Sequence, residues 1–221
     1  MRKVVTAAFV SLDGVMQAPG GPEEDPTGGF AHGGWTFHHW DDVMGQAMDG
    51  TFGEPFDLLL GRKTYEIFAA HWPYVPADDP IGKLFNATTK YVATHSAETL
   101  VWQNSVPLRG DAAEAVAELK RHNGPTLLLQ GSADLIQTLL AADLIDEFRL
   151  MTFPVVLGSG KRLFGRGAIP AGLKLVSSQA STTGVVISTY LRSGEVTTGS
   201  FALGESSAAE LARRKRMKRE G

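Results

Sequence analysis

Apolar and polar positions fall into two rhythms along the chain. Val4 to Val10, Phe56 to Leu60, Tyr91 to Ala93 and Leu127 to Leu129 are short, near-continuous apolar runs. Runs of that length read as buried strands. Between them the spacing lengthens to helical. Trp40, Val43, Met44, Ala47 and Met48 mark one face of a helix from about Phe37 to Asp49, and a second helix follows from Tyr65 to Ala70. Asp111 to His122 has an apolar face of Ala112, Ala115, Val116 and Leu119, with Asp111 as N-cap and Glu114 three residues on. Leu135, Ile136, Leu139 and Leu140 give another helix, with Ser132 as N-cap and Asp134 in its first turn. Glu147 to Phe153 returns to strand. Leu173 to Gln179 and Val185 to Leu191 flank Ser181-Thr182-Thr183-Gly184 and predict a terminal antiparallel hairpin.

Two stretches have neither rhythm. Gln17 to Gly34 is rich in glycine and proline and predicts a long loop, of the kind that covers binding clefts. Pro107 to Asp111 reads as a surface connection. Beyond residue 192 the composition changes, and 193–221 reads as a basic tail or a short appended helix after a single domain over 1–192. The chain carries 21 basic and 24 acidic side chains, of which six and three lie between Glu205 and Gly221. The remainder therefore holds 15 against 21, and an acidic body argues against a nucleic-acid face. There is no cysteine, no apolar run of membrane-spanning length, and no long apolar segment near the N-terminus, which points to a cytoplasmic protein without membrane partners.

Candidate chemistry gathers where strands end. Ser11-Leu12-Asp13-Gly14 places a carboxylate beyond the first strand, where open α/β sheets hold ligands, although Asp and Gly also make ordinary turns. Gly61-Arg62-Lys63-Thr64 and Gly131-Ser132-Ala133 each join a strand to a helix start, whose unpaired amides and positive dipole attract anions. Two such turns on neighbouring strands suit the phosphates of a dinucleotide. A third strand ends at Thr94-His95-Ser96, and Gly158-Ser159-Gly160-Lys161 forms a basic glycine loop after Pro154. Asp41 and Asp42 stand near a helix start, where capping is the simpler role. His32, His38 and His39 match no metal-site spacing, and no metal is expected.

Four strings in this order resemble the dihydrofolate-reductase-like superfamily, in particular the riboflavin-biosynthesis reductase branch: Ser11-Leu12-Asp13-Gly14, LLLGRKTYE at 58–66, LLLQGSADLIQTLL at 127–140 and DEFRLMTFPVVLGSGKRLF at 146–164. The resemblance implies a three-layer α/β fold with a mostly parallel central sheet and a C-terminal antiparallel hairpin. It implies NADPH across the strand ends, held by Gly61, Arg62, Lys63 and Thr64, by Thr94, His95 and Ser96 near the adenosine 2′-phosphate, and by Gly131, Ser132 and Ala133 at the pyrophosphate. Pro154, Gly158, Gly160 and Lys161 fall at the cleft. The implied reaction is hydride transfer to a small heterocyclic substrate of pterin or ribosylamino-pyrimidine type, with Asp13 and then Asp41 as proton-relay candidates. A homodimer is implied too. Gln130 stands where many relatives have glycine, and no deaminase domain accompanies these strings. A nucleotide-binding module without catalysis is the alternative on the same fold.

Overall fold

The computed structural model describes residues 1–165, 168–202 and 204–220. Its eight strands are β1 (Val4–Ser11), β2 (Phe56–Gly61), β3 (Lys90–Ala93), β4 (Ser105–Leu108), β5 (Thr126–Gln130), β6 (Glu147–Phe153), β7 (Leu173–Ala180) and β8 (Val186–Arg192). They form one sheet in the order β4-β3-β2-β5-β1-β6-β8-β7. The first six of that order pair in parallel, and β8 and β7 close the edge as the antiparallel hairpin. This is the mostly parallel α/β sheet with a C-terminal antiparallel hairpin that the family resemblance implies.

Helices α1 (Asp42–Phe52), α2 (Arg62–Ala69), α3 (Pro80–Ala87), α4 (Ala112–Arg121) and α5 (Ala133–Ala141) cover both faces. Val4, Leu59, Leu127 and Leu129 pack under Val116 of α4 and Ile136 and Leu139 of α5. Val5, Leu58, Leu60 and Leu128 point the other way, against Tyr65 of α2 and Phe85 of α3. Met44 of α1 joins Met151 and Phe153 of β6 on that second face. Alternate residues of each strand thus feed opposite layers, which is why the runs are nearly continuous in apolar residues. At about 25 cal/mol per Å² of apolar surface, a fully buried leucine contributes roughly 1.5–3 kcal/mol.

Several elements differ from the sequence expectation. Asp41 is extended, and its carboxylate accepts from Met44 N at 3.0 Å, so α1 starts at Asp42 and Phe37–His39 forms a separate 3₁₀ turn. Helix α2 starts at Arg62, three residues before Tyr65. Helix α3 and edge strand β4 were not anticipated. Strand β4 runs into the Pro107–Asp111 stretch that reads as a surface connection, and it escapes notice because Val106 and Pro107 are exposed and give no buried face. Beyond β8, Ala208–Glu220 forms helix α6 with no buried residue; Gly221 lies outside the described residues. Among the described residues, no helix is long and apolar enough to cross a membrane.

Candidate functional site

The two strand-to-helix turns meet. Strands β2 and β5 are neighbours, so Gly61 and Gly131 end side by side. Gly61 N–H donates to Ser132 Oγ at 2.7 Å, and a Cβ on Gly61 would fall 3.2 Å from that hydroxyl. A Cβ on Gly131 would reach the Thr64 methyl at 3.4 Å. Ser132 was expected to cap its own helix. Its hydroxyl instead bridges to the neighbouring turn, and its backbone sits at φ 64°, next to Gly131 at φ 79°. A left-handed non-glycine residue costs about 1–2 kcal/mol, and such strain concentrates at functional sites.

The consequence is electrostatic. Helices α1, α3 and α4 each begin with an Asp whose carboxylate accepts a first-turn amide. Helices α2 and α5 have no side-chain cap. Their first turns line a cleft of ≈ 1260 Å³ that runs along the strand ends, and they offer it adjacent, uncapped positive poles. Gly61, Arg62, Lys63, Thr64, Gly131, Ser132 and Ala133 all line this cleft, as do Thr94 and His95 beyond β3. Ser96 does not line it; its amide donates to Thr94 Oγ1 within the loop. Arg62 is engaged by Glu66 at 2.5 Å and Glu98 at 2.7 Å, which raises its already high pKa, with the Glu66 bond the main cause. An incoming phosphate must compete with those carboxylates for Arg62.

The other end of the cleft lies against β1, β6 and the hairpin. Phe9, Met151, Ile187 and the exposed ring of Trp40 give it apolar surface. Arg149 and Glu147 enter from β6, joined at 2.7 Å. The loop from Gln17 to Gly34 supplies a wall. It was expected to have no regular structure, yet it is cross-braced. The Gln17 amide donates to Asp25 O and Thr27 O at 2.9 Å, and Gln17 Oε1 accepts from Lys161 N at 3.0 Å. Trp35 Nε1 donates to Gln17 O, and Thr36 Oγ1 to Pro19 O. Lys161 Nζ meets the Asp25 carboxylate at 2.5 Å, which helps hold Asp25 below its ordinary pKa against the opposing effect of burial. Gly160, at φ 122°, permits this approach, since a Cβ there would come 2.6 Å from Val15.

The two carboxylates nominated for proton relay are placed elsewhere. Asp13 accepts from Ser11 Oγ at 2.6 Å, Leu157 N at 3.1 Å, Gly158 N at 2.9 Å and Arg162 Nη2 at 3.2 Å. Those donors, the Ser11 hydroxyl foremost, hold its pKa far below the carboxylate range. It fastens the loop after β6 to the end of β1 and does not line the cleft. Asp41 caps α1 and accepts from the Thr182 hydroxyl and amide at 2.7 Å, pinning the hairpin turn to the helix, again outside the cleft lining. Pro154 and Gly158 are likewise outside it, and of that loop only Lys161 reaches the main cleft.

Sequence reading missed Glu24, which lines the cleft from the long loop. Its Oε2 accepts from Gly20 N at 2.6 Å, no cation pairs with it among the described residues, and burial is the main effect raising its pKa. Arg149 and Glu147 were missed as well, although two charges two residues apart inside an apolar strand mark one face and were readable as a signal. No group of three or more metal-ligating side chains occurs among the described residues.

Comparison with known proteins places this geometry. A family model described as the RibD C-terminal domain matches residues 2–187. The uncharacterized protein YyaP of Bacillus subtilis is 30% identical over 199 residues, covering 86% of this chain and 94% of that protein. A deaminase/5-amino-6-(5-phosphoribosylamino)uracil reductase from Thermotoga maritima superposes with a TM-score of 0.57 at 14% identity, over 87% of this chain and 57% of the other. Dihydrofolate reductase from Enterococcus faecalis, in complex with NADP(H) and RAB-propyl, superposes with a TM-score of 0.53 at 15% identity, over 86% of this chain and 96% of the other.

Proposed function

The chain belongs to the RibD C-terminal domain family, and from that premise we propose that it is an NADPH-dependent reductase of a small heterocycle, of pterin or ribosylamino-pyrimidine type. The fold is that of dihydrofolate-reductase-like reductases. The observation that carries the cofactor is the pair of adjoining, uncapped helix starts at Gly61–Thr64 and Gly131–Ala133. Gly61 N–H is taken up by Ser132 Oγ, but neither helix start has a side-chain cap on its first-turn amides, and the glycines let a phosphate approach the main chain closely. Lys63 and His95 line the same end and suit the 2′-phosphate. When bound, the nicotinamide supplies the hydride, so the protein's task is to orient, exclude water and deliver a proton.

Orientation falls to Phe9, Trp40 and Met151, which give a ring flat apolar surface to lie against. Water exclusion falls to the braced 17–34 wall. Proton delivery falls to Glu24, the cleft carboxyl whose pKa burial raises, because the donors around Asp13 and Asp41 lower theirs. The homodimer expected from the resemblance is supported by β7, an edge strand whose eight residues are all exposed, among them Leu173, Leu175 and Val176. A cytoplasmic location and the absence of nucleic-acid partners stay part of the same proposal.

NADPH absorbance followed against pterin, dihydrofolate, flavin and ribosylamino-pyrimidine substrates tests the reading. Oxidation with one member supports it. Tight NADPH binding with no oxidation across the panel would instead favour a nucleotide-binding module.

A further inference from the structure

Arg149 enters the cleft from the middle of β6 with one edge of its guanidinium committed. Its Nε donates to Glu147 Oε1 at 2.7 Å, its one hydrogen bond among the described residues. Glu147 lies two residues earlier on the same face of the strand. Its side chain is 9% exposed, and Lys3 Nζ stands 3.8 Å from its other oxygen. One largely buried carboxylate thus serves two cations. A guanidinium has two donor edges, and this pair uses a single nitrogen of one of them. The Nη1–Nη2 edge is left over, on a side chain 31% exposed in a residue that lines the cleft.

The register of the sheet builds a row around that edge. Ala7 of β1, Arg149, Thr189 of β8 and Ser177 of β7 are successive cross-strand partners, and all four line the cleft. Ala7 is small and leaves the guanidinium room, while Thr189 and Ser177 bring two hydroxyls that can donate. The next row on the same face holds Phe9, Met151 and Ile187, the apolar floor for a flat ring. Two residues along a strand separate the rows, about 7 Å. In the other direction Ala7 pairs with Gln130 of β5, just before the Gly131 turn. Two strand spacings, about 10 Å, therefore separate the Arg149 backbone from that helix start. We propose that Arg149, with Thr189 and Ser177, is the specificity-determining subsite for a phosphate monoester carried about 7 Å from the substrate's ring. The planar fork takes two oxygens of such a group and the hydroxyls take the third. Glu147 holds the guanidinium plane by its far edge, so the pair orients the fork without occupying it. The proposal rests on the reductase reading for which end holds the substrate, and it names the residues that would read the substrate's side chain.

Riboflavin and riboflavin 5′-phosphate share a ring and differ by one phosphate at the end of a chain that can span the two rows. Titrated by flavin fluorescence at low salt with saturating NADPH, the wild-type protein should bind the phosphate form about tenfold more tightly, the scale of a partly exposed charge-assisted fork. Arg149→Met should erase that preference while riboflavin itself and NADPH bind as they do to wild type. Arg149→Lys should restore part of it, since an ammonium keeps the charge and lacks the fork. Ser177→Ala, on an exposed edge strand, leaves the Arg149–Glu147 pair in place and should reduce the preference several-fold. It carries the test if melting curves show that Arg149→Met does not fold. Equal binding of the two flavins by wild type would overturn the proposal, as would a preference that folded Arg149→Met or Ser177→Ala retains in full. So would failure of both flavins to bind a protein that binds NADPH. Parallel loss of NADPH and of the flavin phosphate in Arg149→Met would assign Arg149 to the cofactor and overturn it too. A direct NADPH titration of wild type reports separately on the reductase reading. Its failure beside a phosphate preference that Arg149→Met abolishes would remove the cofactor and keep the subsite.

Discussion

Two carboxylates illustrate how little a side chain's position in sequence says about its task. Asp13 stands at a strand end, where a catalytic acid is expected, yet four donors hold it as an anion and as a fastener between β1 and the loop after β6. Asp13→Asn should leave amide donors at Leu157 and Gly158 without an acceptor of full charge. We expect it to lower stability by about 1–3 kcal/mol while turnover per folded molecule changes only several-fold. Glu24→Gln should do the opposite. Melting temperature and NADPH affinity should hold, and turnover should fall by roughly 10²–10⁴ at neutral pH, the range for lost acid–base assistance. Melting curves and single-turnover rates of the two variants decide between them, and a slow Asp13→Asn with a fast Glu24→Gln would return the proton to Asp13. Glu24 was illegible in sequence because the loop's path depends on Gln17 meeting Lys161 across 144 residues of chain. No local pattern encodes that meeting.

Elements were legible where one rule decided them and obscure where rules competed. Short, near-continuous apolar runs located β2 and β5, and Asp111 was readable as a cap, with its carboxylate accepting from Glu114 N at 2.9 Å. Asp79-Pro80 carries the same signature for α3, with cap and proline in place, but eight residues gave too little periodicity to stand out. At Ser132 the local rule and the tertiary contact disagree, and the tertiary contact prevails. Ser132→Ala should therefore cost about 1–2 kcal/mol by orphaning Gly61 N–H, and it should also weaken NADPH several-fold as the two helix starts lose their register. Calorimetry and a cofactor titration would show both; a loss of stability alone would make the bridge purely architectural. Another element-scale test concerns Lys90, fully buried at the start of β3. Its ammonium donates to the Phe85 and Asn86 carbonyls at the end of α3 and lies 4.2 Å from the Trp102 ring centre. Burial pulls its pKa down to about 8. The unfolded chain binds this proton up to an ordinary lysine pKa, so between the two values the unfolded state holds more protons and stability rises with pH. From about pH 7.5 to 9.5 the gain should be on the order of 2 kcal/mol. Lys90→Met should flatten the rise; an equal slope in both proteins would assign it to other groups.

At the scale of the whole molecule, the sheet divides its labour. One edge of the cleft, on β2, β5 and β3, is built for anions. The other, on β1, β6 and the hairpin, is largely apolar, with Lys161 and Arg149 each joined to a carboxylate. The hairpin carries the exposed strand β7 outward, and if that edge joins two copies, Val176→Glu should convert a dimer to a monomer in sedimentation without lowering the melting temperature of the body. The fold and the two adjoining helix starts were both readable from sequence, since each depends on short strings: apolar runs, and glycine at a strand-to-helix turn. The substrate end was not, because it is assembled from β1, β6, β8 and a loop that only the folded chain brings together. The claim on which the rest depends is that the joined helix starts hold a dinucleotide's phosphates. Calorimetric titration of the protein with NADPH and with NADH tests it directly. The account predicts saturable one-site binding of both, with NADPH preferred by about tenfold through Lys63 and His95. Absence of saturable binding of either nucleotide would contradict it.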